Sequence, residues 1–401
     1  MPRVLPYLAV QPDAAQAWAD VRAGAAPSER VWASAYRAAP HRTSVHGGVH
    51  IADHGRTLAA TDPALEVHAR SASCVAVACA PLGMPATDVH LPTRIGTLPG
   101  ATGSRDSSWA LALATSAASG MHRWCAGGPS GTLHVGEWAP AAPDPFAVPI
   151  PLAGHRADIT SVRFFPSGEV VLTTSLDATA RIYSALDGAN PRTLTGHTRA
   201  VYASAMLGRG REVLTGSLDA TVRLWDVGAA HTTATLDADD GVCALDTHGP
   251  QHAVGGTARG TLAVWDVRAG AAPAATATAP AAPDGGDARG ITALAVGADR
   301  VAIGTRTGVC AVYDVRRLAA PVAAVWRNTA EVADVQWSGA DAVCVATRDG
   351  LPFRWTCAPS VRATDEYVGW DADAVDALRA DAHGTLVAAG AAGAWAMYAP
   401  L

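Results

Sequence analysis

The chain has 401 residues and a formal net charge of −6, and its 30 basic residues are all arginine. Without lysine there is no phosphate-loop lysine, no kinase strand lysine and no Schiff-base lysine. The acidic balance also gives no overall field for nucleic acid or anionic lipid. Seven cysteines, at 74, 79, 125, 243, 310, 344 and 357, form no C-x-x-C pair and read as small buried hydrophobes of a reducing compartment.

In chain order, the opening MPRVLPYLAVQPDAAQAW is too short and too broken by Pro6 and Pro12 for a secretory core. No run of eighteen apolar residues follows, so a chain free of membranes in the cytoplasm or nucleus is expected. Residues 1–90 read as a small N-terminal domain, with a short helix over Ala14–Gly24 and strands in SVHGGVHI and SCVAVACA. From about residue 91 to 401 the chain is organised by repetition.

The repeat is clearest in GHRADITSVRFFPSGEVVLTTSLDATARIYS (Gly154–Ser184) and GHTRAVYASAMLGRGREVLTGSLDATVRLWD (Gly196–Asp226). His155 and His197, Asp177 and Asp219, and Tyr183 and Trp225 are each 42 positions apart. The aromatics Trp138, Tyr183, Trp225, Trp265, Tyr313, Trp355 and Tyr398 extend this spacing, with intervals of 40 to 48 residues. That is the period of WD-repeat propellers, with four strands per blade. The expected fold is therefore all-β, a seven-bladed WD-repeat β-propeller preceded by the small N-terminal domain.

Within a unit, alternating runs such as DITSVRFF and AVYASAML predict strands, separated by turns at Pro166-Ser167-Gly168 and Gly208-Arg209-Gly210. Resemblance to the repeat family implies a hydrogen-bonded chain of His197, Asp219, Thr215 or Ser217, and Trp225, with His155 and Asp177 as the matching pair one blade earlier. The tandem copy argues for a structural rather than an acid–base role, because buried polar groups need partners. The Ala/Pro/Thr-rich stretch from Ala269 to Gly290 reads as a disordered surface loop. AWAMYAPL ends the last blade one strand short, and a propeller edge must be covered. Residues 86 to 98 (ATDVHLPTRIGTL) are the expected closing strand.

Further residues carry a narrower likeness. LAGHRADITSVRFFPSG, LDATARIYSALDG, LTGHTRAV and GRGREVLTGSLDATVRLWD together resemble the proteasomal ATPase-associated factor family, whose members include a fungal WD-repeat chaperone of the proteasome regulatory particle. GTRTGVCAVYDVRRLAAPV (Gly304–Val322) and QPDAAQAW extend the likeness, which is densest over residues 152 to 226. The resemblance implies a non-enzymatic assembly chaperone. Its partner would be the C-terminal domain of one ATPase subunit of the regulatory-particle base.

Charge placement suggests how such docking would work. The segments entering blades two and three carry Arg156, Asp158, Arg199 and Tyr202; later ones turn acidic, with Asp237, Asp239, Asp240, Asp284, Asp287, Glu331, Asp334, Asp365, Glu366, Asp371, Asp373 and Asp376. An acidic arc steers a basic partner and sets the encounter rate more than the affinity. Tyr202, Trp337 and Trp370 are candidate apolar anchors. A monomer is expected, with no cofactor, no metal site and no nucleic acid. His46/His50 and His248/His252 are flanked by glycine and do not form a ligand pair on a helix. The rival binding role is a cullin-ligase substrate receptor, from the W-D-x-R box Trp265-Asp266-Val267-Arg268. An enzyme is the other rival class, but G-x-S-x-G, H-E-x-x-H and phosphate-loop motifs are absent from the sequence.

Overall fold

From Ala110 onward the chain builds six sheets whose first four strands run in sequence order from the axis outward, and a seventh of three strands that an earlier segment completes. The computed structural model describes residues 1–38, 42–101, 108–116, 119–139, 141–142, 145–146, 149–286, 289–370, 373–381 and 384–399. The innermost strands are Ala110–Thr115, Ile159–Phe164, Val201–Leu207, Val242–His248, Ile291–Val296, Val332–Trp337 and Val375–Ala380. Each packs against the next, and the seventh packs against the first, so the ring is closed. The protein is a seven-bladed all-β propeller.

The sequence pattern follows from this stacking. Second strands such as Val170–Ser175, Glu212–Ser217 and Arg300–Thr305 lie between neighbouring blades and are buried from their second residue on. They therefore read as continuous apolar or small runs rather than alternating ones. Blades approach closely at fixed points: a Cβ on Gly256 would lie 2.3 Å from the Ile291 side chain, and one on Gly304 would lie 2.2 Å from Val332. Six of the spacing aromatics, from Tyr183 to Tyr398, stand on third strands and are at most 1% exposed. Trp138 follows the third strand of blade one, Leu133–Glu137, and is also buried.

The turn from second to third strand needs a left-handed residue. Glycine supplies it at Gly260, Gly308 and Gly350 (φ 91°, 80° and 74°), whereas blades two and three use Ala178 and Ala220 (φ 64° and 63°). An L-residue with a Cβ is strained there by about 1–2 kcal/mol, part of which glycine gives back through unfolded-chain entropy. Ala178→Gly and Ala220→Gly are each expected to stabilise the fold by about 0.5–1 kcal/mol. A urea midpoint that stays put or falls would show that these turns carry no strain.

The N-terminal region folds as the sheet Tyr7–Val10, Ser28–Arg37, Thr43–Ala52 and Thr57–Ala60, covered by the helix Ala14–Ala23 that Gly24 ends at φ 75°. Leu8, Trp18, Val31, Ile51, Val77 and Val89 are among its core residues. Three N-terminal segments continue propeller blades. Arg3–Val4 pairs in parallel with Val325 and Trp326 of blade five. Met84–His90, backed by Cys74–Cys79 and Glu66–Ala69, pairs in parallel with Asp365–Tyr367 of blade six. Arg94–Thr97 pairs antiparallel with Ala394–Met397 and forms the outer strand of blade seven. The stretch 86–98 is thus shared between two blades.

One expectation is corrected. The stretch from Ala269 to Gly290 is not all loop, because Ala275–Thr278 is the outer strand of blade four and pairs with Thr261–Val264. An outermost strand is largely exposed (Ala275–Thr278 has one half-buried residue), so no apolar pattern betrays it.

Candidate docking face

The polar chain of blade three is polarised from end to end. The Trp225 indole N–H donates to Thr215 Oγ1 at 2.8 Å, Thr215 lies 2.7 Å from His197 Nε2, and His197 Nδ1 lies 2.8 Å from Asp219 Oδ2. The Asp219 carboxylate also accepts from Thr198 N–H, Thr221 N–H and the Thr221 hydroxyl. Ser217 stands outside this chain; its hydroxyl donates to Arg199 C=O and accepts from Asp219 N–H. In blade two, His155 bridges Asp177 and Thr173 in the same way, at 2.9 and 2.8 Å. There the Tyr183 hydroxyl donates to Ala153 C=O instead.

These groups set a pH dependence. Burial holds both imidazoles below the usual histidine value, with the paired aspartates pulling only part of the way back. Burial opposes ionisation of Asp177, but hydrogen bonds from Thr179, His155 and Arg156 N–H prevail and bring it to about 2. In both cases the unfolded chain binds the proton more readily. The stability these groups contribute is therefore full above pH 6.5, falls as the two histidines charge below it, and falls again as the aspartates protonate below pH 4. The urea midpoint is expected to drop from pH 7 to pH 5, with a shallower drop in His155→Asn/His197→Asn. Equal slopes in the two proteins would contradict the assignment.

The axial channel opens on the same face. In blades two to seven the first strand carries a register shift at its second residue, between Ile159/Ser161, Val201/Ala203, Val242/Ala244, Ile291/Ala293, Val332/Asp334 and Val375/Ala377. A bulge re-aims one side chain. The bulged residues Thr160, Tyr202, Cys243, Thr292, Ala333 and Asp376 all line a mouth cavity of about 450 Å³.

The predicted contact residues divide accordingly. Tyr202 is 37% exposed at the mouth rim. Asp239 is exposed and accepts the Thr261 hydroxyl at 2.6 Å; Asp240 is half-buried, and Arg259 approaches it at 4.0 Å. Asp237, Asp284 and Asp373 are exposed. Glu331, Asp334 and Asp376 come together on one wall of the mouth. Asp334 accepts Leu378 N–H and pairs with Arg379. Asp376 accepts Trp109 N–H at 3.0 Å and pairs with Arg348 at 2.6 Å; burial lifts its carboxyl to about 6 against the pull of Arg348. Asp287 and Asp371 lie outside the described residues.

Four of the other residues read as lying on this face do not. Asp365 is buried between His90 and Arg354 (2.9 and 2.7 Å), Glu366 is fully buried against Arg327, and Trp370 is packed in the core with Val375 and Tyr398. Position along the chain marks the approach to a blade, but an outer strand beneath an added N-terminal strand is interior. Trp337 lines the cavity at the opposite end of the channel.

Reading only the segments that enter each blade misses the cations that interleave with the acids. Arg306 and Arg348 each directly follow a second strand, and Arg259 stands two residues past one. The signal was present as T-A-R, T-R-T and T-R-D after those strands. The paired histidines were also clearer in space than in sequence. His248 and His252 face each other across a hairpin with rings 6.2 Å apart, and His46 meets Ser34 Oγ at 2.8 Å. Among the described residues no three metal-ligating side chains converge, and no helix is long and apolar enough to cross a membrane.

Seven sheets in a closed ring, recurring His–Asp turns and an open axial mouth define a WD-repeat β-propeller. Residues 149–184 and 188–226 match the family "WD domain, G-beta repeat", and residues 231–351 match "Nucleolar protein 10-like, N-terminal domain". Among curated proteins, the chain is similar to the 26S proteasome regulatory subunit RPN14 of Saccharomyces cerevisiae, at 49% identity over 39 residues. That stretch spans 10% of this chain and 9% of the yeast protein.

Proposed function

We propose that this propeller is a non-enzymatic assembly factor of the proteasome regulatory-particle base, and that its channel-mouth face docks the C-terminal domain of an ATPase subunit. The observation that carries the reading is the 49% identity to a 26S proteasome regulatory subunit. It agrees with the resemblance in residues 152 to 226 and with the scaffold role usual for WD-repeat propellers. On this reading Asp239, Asp240 and Asp373 steer a basic partner surface, a role proposed from the sequence also for Asp287 and Asp371. Glu331, Asp334 and Asp376 would then act through the mouth wall, and Tyr202 is the apolar anchor.

In the W-D-x-R box of the rival cullin-receptor reading Arg268 forks on Asp266 (3.1 and 3.0 Å), and capture of a ligase adaptor in place of an ATPase domain would favour that reading. Capture of purified ATPase C-terminal domains on the immobilised chain tests the proposal. One domain is expected to bind, with an on-rate that falls about tenfold in Asp239→Arg/Asp240→Arg at low salt. If none of the domains binds, the ATPase reading fails.

A further inference from the structure

We infer that the channel mouth is a carboxylate-binding site, in which Arg306 and Arg348 clasp an acidic side chain or a free C-terminal carboxylate of a docked peptide. The argument begins with equivalence. Both arginines occupy the position directly after a second strand (Arg300–Thr305 and Ala342–Thr347), in adjacent blades. In blades two and three that position holds Leu176 and Leu218. Both guanidiniums line the 450 Å³ cavity, beside Glu331 and Asp376 and with Tyr202 also on its rim. The backbone N–H of each arginine is tied to the segment entering its own blade, Arg306 to Gly290 C=O and Arg348 to Glu331 C=O.

The wall is close to neutral in formal charge, so the sign of the ligand is decided by what each group has left to offer. The carboxylates are committed inward. Asp376 is 4% exposed, accepts Trp109 N–H and is ion-paired with Arg348; Asp334 is 18% exposed, accepts Leu378 N–H and is ion-paired with Arg379. The guanidiniums face outward. Arg306 is 56% exposed and meets Glu331 only at 3.9 Å, beyond hydrogen-bond length; Arg348 is 39% exposed. Among the described residues Arg348 directs Nη1 to Asp376 and to Ser108 Oγ, so Nε and Nη2 remain for a ligand. A guanidinium has five N–H donors, and a carboxylate accepts two of them side by side. The mouth thus presents unspent donors over spent acceptors, which is what an anion needs. Asp376 sets the orientation of Arg348, and Glu331 is a weak competitor that a ligand carboxylate would replace at Arg306.

The inference stands apart from the ATPase reading, because short peptides probe the mouth alone. Three dye-labelled pentapeptides are titrated against the full chain by fluorescence anisotropy. The first has a central glutamate and an amidated end, the second a central glutamine and a free C-terminal carboxylate, and the third a central glutamine and an amidated end. Binding of the first or second, at least tenfold tighter than the third and weakened by salt, is expected; which of the two binds identifies the source of the carboxylate. Arg306→Ser should cost about tenfold, Arg199→Ser on the same face should cost nothing, and Glu331→Gln should tighten binding severalfold by releasing Arg306. The gain in Glu331→Gln cannot arise from misfolding. Equal binding of all three peptides, binding of none, or an unchanged affinity in both Arg306→Ser and Glu331→Gln would overturn the site.

Discussion

Arg327→Met alone is expected to destabilise the protein by about 3–5 kcal/mol, and Arg327→Met/Glu366→Leu by much less. Arg327 is 5% exposed and Glu366 fully buried, and one guanidinium nitrogen spans both carboxylate oxygens at 2.9 and 2.8 Å. The guanidinium also lies over the rings of Tyr7 and Phe353, at 5.1 and 4.2 Å from their centres. Arg327 follows the outer strand of blade five (Ala323–Trp326), Glu366 is in the outer strand of blade six, and Tyr7 belongs to the N-terminal sheet. The pair therefore joins three bodies in one dry site. Burial pushes the Glu366 carboxyl up to about 7 even against Arg327. Removing the arginine leaves a buried carboxyl that has lost its partner and must take up a proton; removing both leaves apolar volume among rings. Urea denaturation of the single and double variants checks this, and a single-variant loss below about 1 kcal/mol would contradict a water-excluded pair.

The second large effect concerns closure. Deleting residues 86–98 should abolish the cooperative unfolding transition, because it removes the outer strand of blade seven and most of the strand added to blade six. It also removes His90, which lies 2.9 Å from Asp365 and stacks on Tyr367 at 5.2 Å. Burial disfavours charge on His90, but bonding to Asp365 and Cys74 wins and lifts its imidazole to about 9. Its contribution is therefore full below pH 6.5 and lost as pH rises through about 9, opposite in sign to that of His155 and His197. A milder version is Gly96→Val, whose Cβ would fall 2.8 Å from the Trp395 ring; a loss of about 1–3 kcal/mol is expected. An unchanged melting temperature in the deletion would mean that the ring does not need this strand.

Period and composition were enough to read the blades. The His155–Asp177 and His197–Asp219 spacings and the row of aromatics report a local unit, and each unit repeats because each must stack on a copy of itself. The same local logic located the helix Ala14–Ala23 and the strand that holds Cys74–Cys79. Thr215 was legible as a candidate member of the polar chain, but its selection over Ser217 was not. Both hydroxyls lie on the same face of one buried strand, and only their distance from the His197 and Trp225 rings separates them: Ser217 stands at the strand end, against the Arg199 carbonyl.

The tertiary structure alone decided which charges meet. Arg306, Arg348 and Arg379 reach their carboxylates across blade boundaries, over 25 to 45 residues of chain. Asp365 and Glu366 sit in an acidic stretch yet are interior, because a strand from the distant N-terminus lies on blade six. Local sequence specifies the shape of a blade through short-range sterics and hydrogen bonding. The ring's closure and the sign of its mouth depend on contacts between segments far apart in the chain, whose pairing no local pattern records.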